Sequence, residues 1–194
     1  MKLLHIDSSA LGQNSVTREL TATIVAQWSS SLDGLQVDYR DLDREPLPHL
    51  TGQSLAKADP AEAAEAERTL QQFLDADVVV IGAPMYNFSI PSTLKAWIDR
   101  VAVAGRTFRY TENGPQGLAG GKRVIVASGR GSVHGAPTDF QESYLRQVFA
   151  FLGIDEVEFV RAEGVAYSPQ HRTDAIAAAK ASIPRPAAPL LQAA

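Results

Sequence analysis

Two periods of hydrophobic spacing succeed one another along the chain, and each change of period marks a strand giving way to a helix. Lys2 to Ile6 is a short apolar strand that runs into Asp7-Ser8-Ser9-Ala10-Leu11-Gly12-Gln13-Asn14-Ser15-Val16-Thr17, a loop rich in hydroxyls and amides. From Ser15 the pattern turns helical: Val16, Leu20, Ile24 and Trp28 form one buried stripe, and Asp33-Gly34 ends the unit. Leu35, Val37 and Tyr39 alternate as a second strand. After Pro46 and Pro48, Asp59-Pro60-Ala61-Glu62 predicts a helix with a capping box and proline at its first position, reaching about Leu74. Val78 to Ile81 is an unbroken β-branched run, the mark of a strand covered on both faces. Leu94, Trp97, Ile98 and Val101 follow at helical spacing, with Ser92 as N-cap and Gly105 as stop.

Phe108 to Gly121, rich in glycine and without a usable period, reads as an excursion. Arg123 to Ala127 is then a fourth strand. A helix from Thr138 to Leu152 turns Tyr144, Leu145, Val148 and Leu152 inward and ends on Gly153. Glu156 to Val160 is a fifth strand, and a last helix spans Thr173 to Ser182 before Pro184, Pro186 and Pro189. Alternating strands and helices predict right-handed crossovers and a doubly wound α/β parallel sheet in the order 2-1-3-4-5. One domain over residues 1–183 and a Pro/Ala-rich tail over 184–194 are expected.

Strand order changes the meaning of the loops. Strands 1, 3 and 4 become neighbours, so the loops after Asp7, Ala83 and Ala127 meet at their carboxyl ends, where open α/β sheets bind ligands. The first offers Ser9, Ser15 and Thr17 hydroxyls with the N–H groups and dipole of a new helix, a phosphate cradle or simply a generous N-cap. The second, Pro84-Met85-Tyr86-Asn87-Phe88, offers flat side chains and an in-plane amide to a ring, or else plugs the sheet end. In the third, Gly129, Arg130, Gly131 and Ser132 can wrap a ring edge through backbone groups or make a flexible turn, with His134 just beyond. Local patterning leaves Tyr110 and Phe151 as core or interface aromatics.

Composition narrows the chemistry. The chain has no cysteine, so disulfides, thiol nucleophiles and cysteine-ligated clusters are excluded, and redox work needs a bound cofactor. Four histidines without ligand spacing predict no metal site. A net charge of −4 without a basic block argues against nucleic acid, and no apolar run approaches a membrane span, so a cytoplasmic location is expected. Gly120-Gly121-Lys122 is not a P-loop, because Arg123 follows it and it precedes a strand. Without G-x-G-x-x-G after the first strand, a mononucleotide is favoured over a dinucleotide.

With these loops in place the chain resembles the FMN-dependent NAD(P)H azoreductase/quinone reductase family of flavodoxin-like proteins over nearly its whole length. The carriers are D-S-S-A-L-G-Q-N-S-V-T, A-P-M-Y-N-F, T-F-R-Y-T-E-N-G-P-Q-G-L from Thr107, G-R-G-S after the fourth strand, and A-E-G-V-A-Y from Ala162. The resemblance implies a three-layer sandwich holding FMN: Ser9 and Ser15-Val16-Thr17 on the phosphate, Met85 to Phe88 framing the isoalloxazine, Gly129 to Ser132 closing its edge. It implies two-electron, ping-pong hydride transfer from NADH or NADPH to quinones and, in repeated cycles, to azo compounds, with no dedicated catalytic acid or base. It further implies a homodimer with sites at its interface, Tyr110, Phe151 and His134 lying near the flavin. The alternative is a flavodoxin-type electron carrier, whose T-G-x-T loop pattern this sequence lacks.

Overall fold

Val78–Pro84 (β3) is buried along its whole length and forms the middle of a five-stranded parallel sheet. The computed structural model describes residues 1–135 and 138–186. Around β3 lie Lys2–Asp7 (β1) and Gln36–Asp41 (β2) on one side, Arg123–Gly129 (β6) and Val157–Ala162 (β7) on the other, in the order β2-β1-β3-β6-β7. This is the expected 2-1-3-4-5 order once a hairpin, Phe108–Thr111 (β4) and Gly114–Gly117 (β5), is set aside as a separate antiparallel pair.

Period-2 geometry splits the strand residues between two cores. Val78 and Val80 of β3 join Leu3, Ile125 and Ala127 under Val16–Ser31 (α1) and Pro169–Ala181 (α6), which contribute Leu20, Ile24, Trp28, Ile176 and Ala179. Val79 and Ile81 join Leu4, Ile6, Val124 and Val126 on the opposite face. That face is covered by Phe73 of Pro60–Asp75 (α3), Leu94 and Trp97 of Ser92–Val101 (α4), and Leu145 and Phe149 of Phe140–Phe151 (α5). A short helix, Gly52–Leu55 (α2), lies in the connection before α3. The layers are helix, sheet, helix.

Several boundaries differ from expectation for local reasons. Ser92 is not the cap of α4 but its first residue; Pro91, with φ −56°, takes the N-cap position without a side-chain bond. Nor does Gly105 stop that helix. It ends at Val101, where the Thr107 hydroxyl donates to the Val101 carbonyl at 2.7 Å and accepts from the Val103 N–H at 2.9 Å. Asp59 caps α3 through the N–H groups of Ala61 and Glu62, but the Glu62 carboxylate turns to Arg100 Nη2 at 2.6 Å, so only half of the expected box forms. The chain from Phe108, expected to be irregular, forms the β4–β5 hairpin. Its Gly117 lies so close to Gly153 that an added Cβ would meet the Gly153 nitrogen at 2.1 Å, which explains a glycine at both positions. Helix α6 starts at Pro169, with Ser168 accepting from the His171 N–H, four residues ahead of the expected start at Thr173; the polar opening turn hides it from any hydrophobic count. Pro184 and Arg185, assigned to the tail, still bond the body through Trp28 Nε1 and Arg123 Nη1. Residues 187–194 of that tail, Pro189 among them, lie outside the described residues.

Candidate functional site

The three loops meet at the carboxyl ends of β1, β3 and β6. Register sets this meeting: Asp7 pairs with Gly82, and Pro84 with Gly129. The Met85 N–H then donates to the Gly129 carbonyl at 2.9 Å, and the Tyr86 hydroxyl lies 3.3 Å from Ser9 Oγ while accepting from the Ala10 N–H at 3.2 Å. A methyl added at Gly129 would come within 3.2 Å of Thr17 and 3.6 Å of Val16. Ser9, Val16, Thr17, Met85, Tyr86 and Gly129 therefore occupy one place.

At the first loop, Ser15 is extended and caps α1, its Oγ accepting from the Arg18 N–H at 3.2 Å and lying 3.1 Å from Thr17 Oγ1. Ser9, Ser15 and Thr17 are all buried. Among the described residues the Val16 and Thr17 N–H groups have no acceptor, so the start of α1 presents free donors and the positive end of its dipole beside hydroxyls. That combination suits an anion.

Beneath this loop is a charged network. Arg18 donates to both oxygens of Asp41 at 2.6 and 2.7 Å and to the Ser9 carbonyl at 2.9 Å. Asp7 accepts from Thr21 Oγ1 at 2.8 Å and the Tyr39 hydroxyl at 3.1 Å, with His5 Nε2 at 3.6 Å. Burial pushes both carboxyls up, but these partners outweigh it and hold Asp7 and Asp41 below the ordinary carboxylate range. Burial and the neighbouring Asp7 push the Tyr39 phenol up to about 12.

The second loop is a two-residue reversal. Tyr86 and Ser89 exchange N–H···O bonds at 2.9 and 3.0 Å, and the residues between them, Asn87 and Phe88, have φ of 49° and 68°. Asparagine tolerates that left-handed region; phenylalanine does so at a cost. Phe88 nevertheless stands 52% exposed, its ring edge-on to His134 at 5.6 Å. Ser132 Oγ lies 3.0 Å from His134 Nε2, so the histidine is tied to the third loop while touching the second.

Arg130 differs from the sequence-based expectation. It is buried and turned inward, donating from Nη1 to Asp139 at 2.6 Å, from Nη2 to Glu142 at 2.9 Å and from Nε to Ser128 Oγ at 3.2 Å. Its backbone is occupied too, N–H to Ala162 and carbonyl from Val165. Among the described residues the N–H groups of Gly131 and Ser132 have no acceptor, so these remain the donors of the third loop.

Tyr110 and Phe151 do not join the others within one chain. They pack around Phe108, with centroids at 5.5 and 4.4 Å, beside the end of α5. That helix starts near Arg130 and runs about 18 Å back toward the amino edge of the sheet. Tyr110, 76% exposed, points from the hairpin to solvent.

Residues that pattern reading missed include Arg18, Asp41, Gln141 and Tyr167. Gln141 is fully buried; its amide donates to the Ala83 and Pro84 carbonyls at 3.1 Å each and accepts from Ser128 Oγ at 3.1 Å, clasping the exits of β3 and β6. The signal was its place at i−4 from Leu145, a polar residue on the buried stripe. Tyr167 accepts from the Val133 N–H at 3.0 Å and steadies the third loop. Among the described residues no helix is long and apolar enough to cross a membrane.

Comparison with known proteins accords with this geometry. A family model described as a flavodoxin-like fold matches residues 1–185. The FMN-dependent NADH:quinone oxidoreductase of Stenotrophomonas maltophilia is 72% identical over 185 residues, 95% of each chain. FMN-dependent NADH:quinone oxidoreductase 2 of Pseudomonas aeruginosa is 55% identical, over 94% of this chain and 96% of the relative. A solved azoreductase from Bacillus anthracis superposes with a TM-score of 0.84 at 30% identity, covering 94% of this chain and 96% of that one.

Proposed function

We propose, from the premise that this chain belongs to the flavodoxin-like family, that it is an FMN-dependent oxidoreductase moving two electrons from NADH to quinones and, in repeated rounds, to aromatic azo compounds. The observation that carries the reading is the convergence of free helix-start N–H groups and buried hydroxyls, at the first loop, with an exposed aromatic turn, at the second. An anion at one end and a flat ring at the other is the shape of a flavin mononucleotide.

The residues present fit that group. Ser9, Ser15, Thr17 and the Val16 and Thr17 N–H groups would hold the phosphate with neutral donors. Met85, Tyr86, Asn87 and Phe88 would frame the ring, Asn87 supplying a donor and an acceptor in one plane. Gly131 and Ser132 would donate from the backbone to its polar edge, with Gly129 leaving room beside Thr17. FMN, when bound, supplies the capacity to accept two electrons from NADH and release them to a second substrate. The chain's own task is to orient that ring, keep one face open to NADH and acceptor in turn, and place His134 at the rim. Reduction of a quinone consumes one NADH and one proton and yields the hydroquinone; an azo bond takes two NADH and two protons and yields two amines.

Because Tyr110 and Phe151 lie at the far edge, their contact with substrate requires a second copy of the chain, and we place the working unit as a homodimer. The domain carrying this activity runs two residues past the expected boundary, to Arg185, because Pro184 and Arg185 bond its body, and we place the reaction in the cytoplasm, where NADH is supplied. Initial rates against NADH at several quinone concentrations test the reading. Parallel double-reciprocal lines are expected; intersecting lines refute the shared face, and NADH oxidation only with an added reductase indicates an electron carrier.

A further inference from the structure

We propose that Arg18 is a positioning residue for the phosphate loop: gripped by Asp41, it fixes the Ser9 peptide from beneath and gives no hydrogen bond to the phosphate itself. This deepens the FMN reading and rests on it. A guanidinium three residues into a helix whose start would hold a phosphate invites the opposite assignment, a direct charge clamp. Its hydrogen bonds decide against that.

A guanidinium has five N–H donors in a fixed fork. Arg18 makes five hydrogen bonds: Nε and Nη2 to the Ser9 carbonyl at 3.3 and 2.9 Å, Nη2 and Nη1 to the Asp41 oxygens at 2.7 and 2.6 Å, and Nη1 to the Tyr39 hydroxyl at 3.4 Å. No donor is left over. Its charge is likewise spoken for, with Asp7 at 3.6 Å and Asp43 at 3.9 Å in addition to Asp41. A phosphate above the loop would meet an ion cluster with more carboxylate than guanidinium.

The consequence runs through the peptide plane. In a trans peptide the carbonyl and the following N–H point opposite ways. With the Ser9 carbonyl drawn down to Arg18, the Ala10 N–H points up, where it meets the Tyr86 hydroxyl at 3.2 Å, and that hydroxyl lies 3.3 Å from Ser9 Oγ. Arg18 thus sets the direction of the Ser9 hydroxyl and joins the first loop to the second. Asp41 is anchored in turn, since its Oδ1 also accepts from the Asp43 and Arg44 N–H groups. The clamp is rigid at both ends.

The two assignments predict opposite signs. Apoprotein is titrated with FMN and with riboflavin by flavin fluorescence for wild type, Arg18→Lys, Arg18→Met and Asp41→Asn, and melting temperatures are recorded alongside. Lysine keeps the charge but lacks the planar fork that holds the Ser9 carbonyl and both Asp41 oxygens at once. Positioning predicts that Arg18→Lys weakens FMN binding by about tenfold or more, that Asp41→Asn weakens it in the same direction, and that riboflavin changes by less than about threefold. A charge clamp predicts that Arg18→Lys retains FMN affinity and that Asp41→Asn, by freeing the guanidinium, tightens it. Either result, or an unchanged Asp41→Asn, overturns the proposal. Should Arg18→Met fail to fold, the other two variants carry the test. If wild type binds riboflavin as tightly as FMN, the phosphate cradle itself is refuted, a failure distinct from that of Arg18.

Discussion

The loop after β1 and the loop after β3 sit side by side at the carboxyl end of the sheet, yet different means hold them. The first is held by side chains: Ser15 caps its helix, Ser8 Oγ donates to the Gly82 carbonyl at 2.6 Å, and Arg18, Asp41, Asp7, Thr21 and Tyr39 form a connected network below it. Its left-handed residue is Gly12, φ 52°, where no Cβ is strained. The second has no such support from side-chain charge. Main-chain bonds hold it, and it accepts a left-handed phenylalanine to project an aromatic ring into solvent. An anion is a point that needs donors fixed in direction, whereas a ring is an area that needs a flat surface fixed in place.

The largest break in that comparison comes from removing the donors. Replacing Ser15 and Thr17 together with Ala deletes two hydroxyls that, on the FMN reading, would donate to the phosphate, each worth about 1.5–3 kcal/mol, so FMN affinity should drop by tens-fold or more. Riboflavin, which lacks the phosphate, should bind as before. Equal losses for both flavins would move the phosphate to another place in the fold.

Next in size is the strain at Phe88. A side chain in the left-handed region costs about 1–2 kcal/mol and more when β-branched, whereas glycine sits there freely. Phe88→Val should therefore unfold at lower urea than Phe88→Gly, by about 1–2 kcal/mol, although valine keeps more apolar surface. Riboflavin affinity should fall in both, because each removes the aromatic face. If valine proves the more stable, the turn is relaxed and the contrast between the loops collapses.

The contrast also explains what could be read from sequence. The sheet order was legible because β3 is apolar on both faces and the periods switch cleanly around it. That the loops carrying Ser9, Ser15, Thr17, Asn87 and His134 meet was legible because this order makes their strands neighbours. What escaped was long-range pairing. Nothing near Arg18 announces Asp41, 23 residues on, and nothing near Arg130 announces that it faces Asp139 and Glu142 and not a ligand. Charged residues in a loop look alike until the fold brings their partners. The hairpin at Phe108 was lost for a related reason: its glycines hide any alternation, and Gly117 is accounted for only by its close approach to Gly153, a contact across the fold.

The smallest effect, and the most selective, is that of acid. In the folded chain the Asp41 carboxyl lies below its ordinary value, since Arg18 and the Asp43 and Arg44 N–H groups outweigh the opposing push of burial. In the unfolded chain it returns to about 3.9, so between those two values the unfolded state binds more protons. The stabilisation is then complete above the unfolded value and is lost as pH falls through the folded one. The turn from Tyr86 to Ser89 contains no carboxylate and should be indifferent over the same range. Urea midpoints of wild type, Asp41→Asn and Phe88→Gly, followed from pH 6 down to about pH 3, separate the two loops. Carboxylates with depressed values outside this network, such as Asp139, slope all three curves equally, so differences between curves bear on Asp41 and on Asp7, its neighbour across Arg18. Wild type should lose about 1 kcal/mol more than Asp41→Asn over that span, the linkage of one proton over roughly 0.9 pH units below about 3.9, while Phe88→Gly stays parallel to wild type. Parallel curves for wild type and Asp41→Asn would mean that the Arg18 clamp contributes nothing to folding and that only flavin affinity registers its presence.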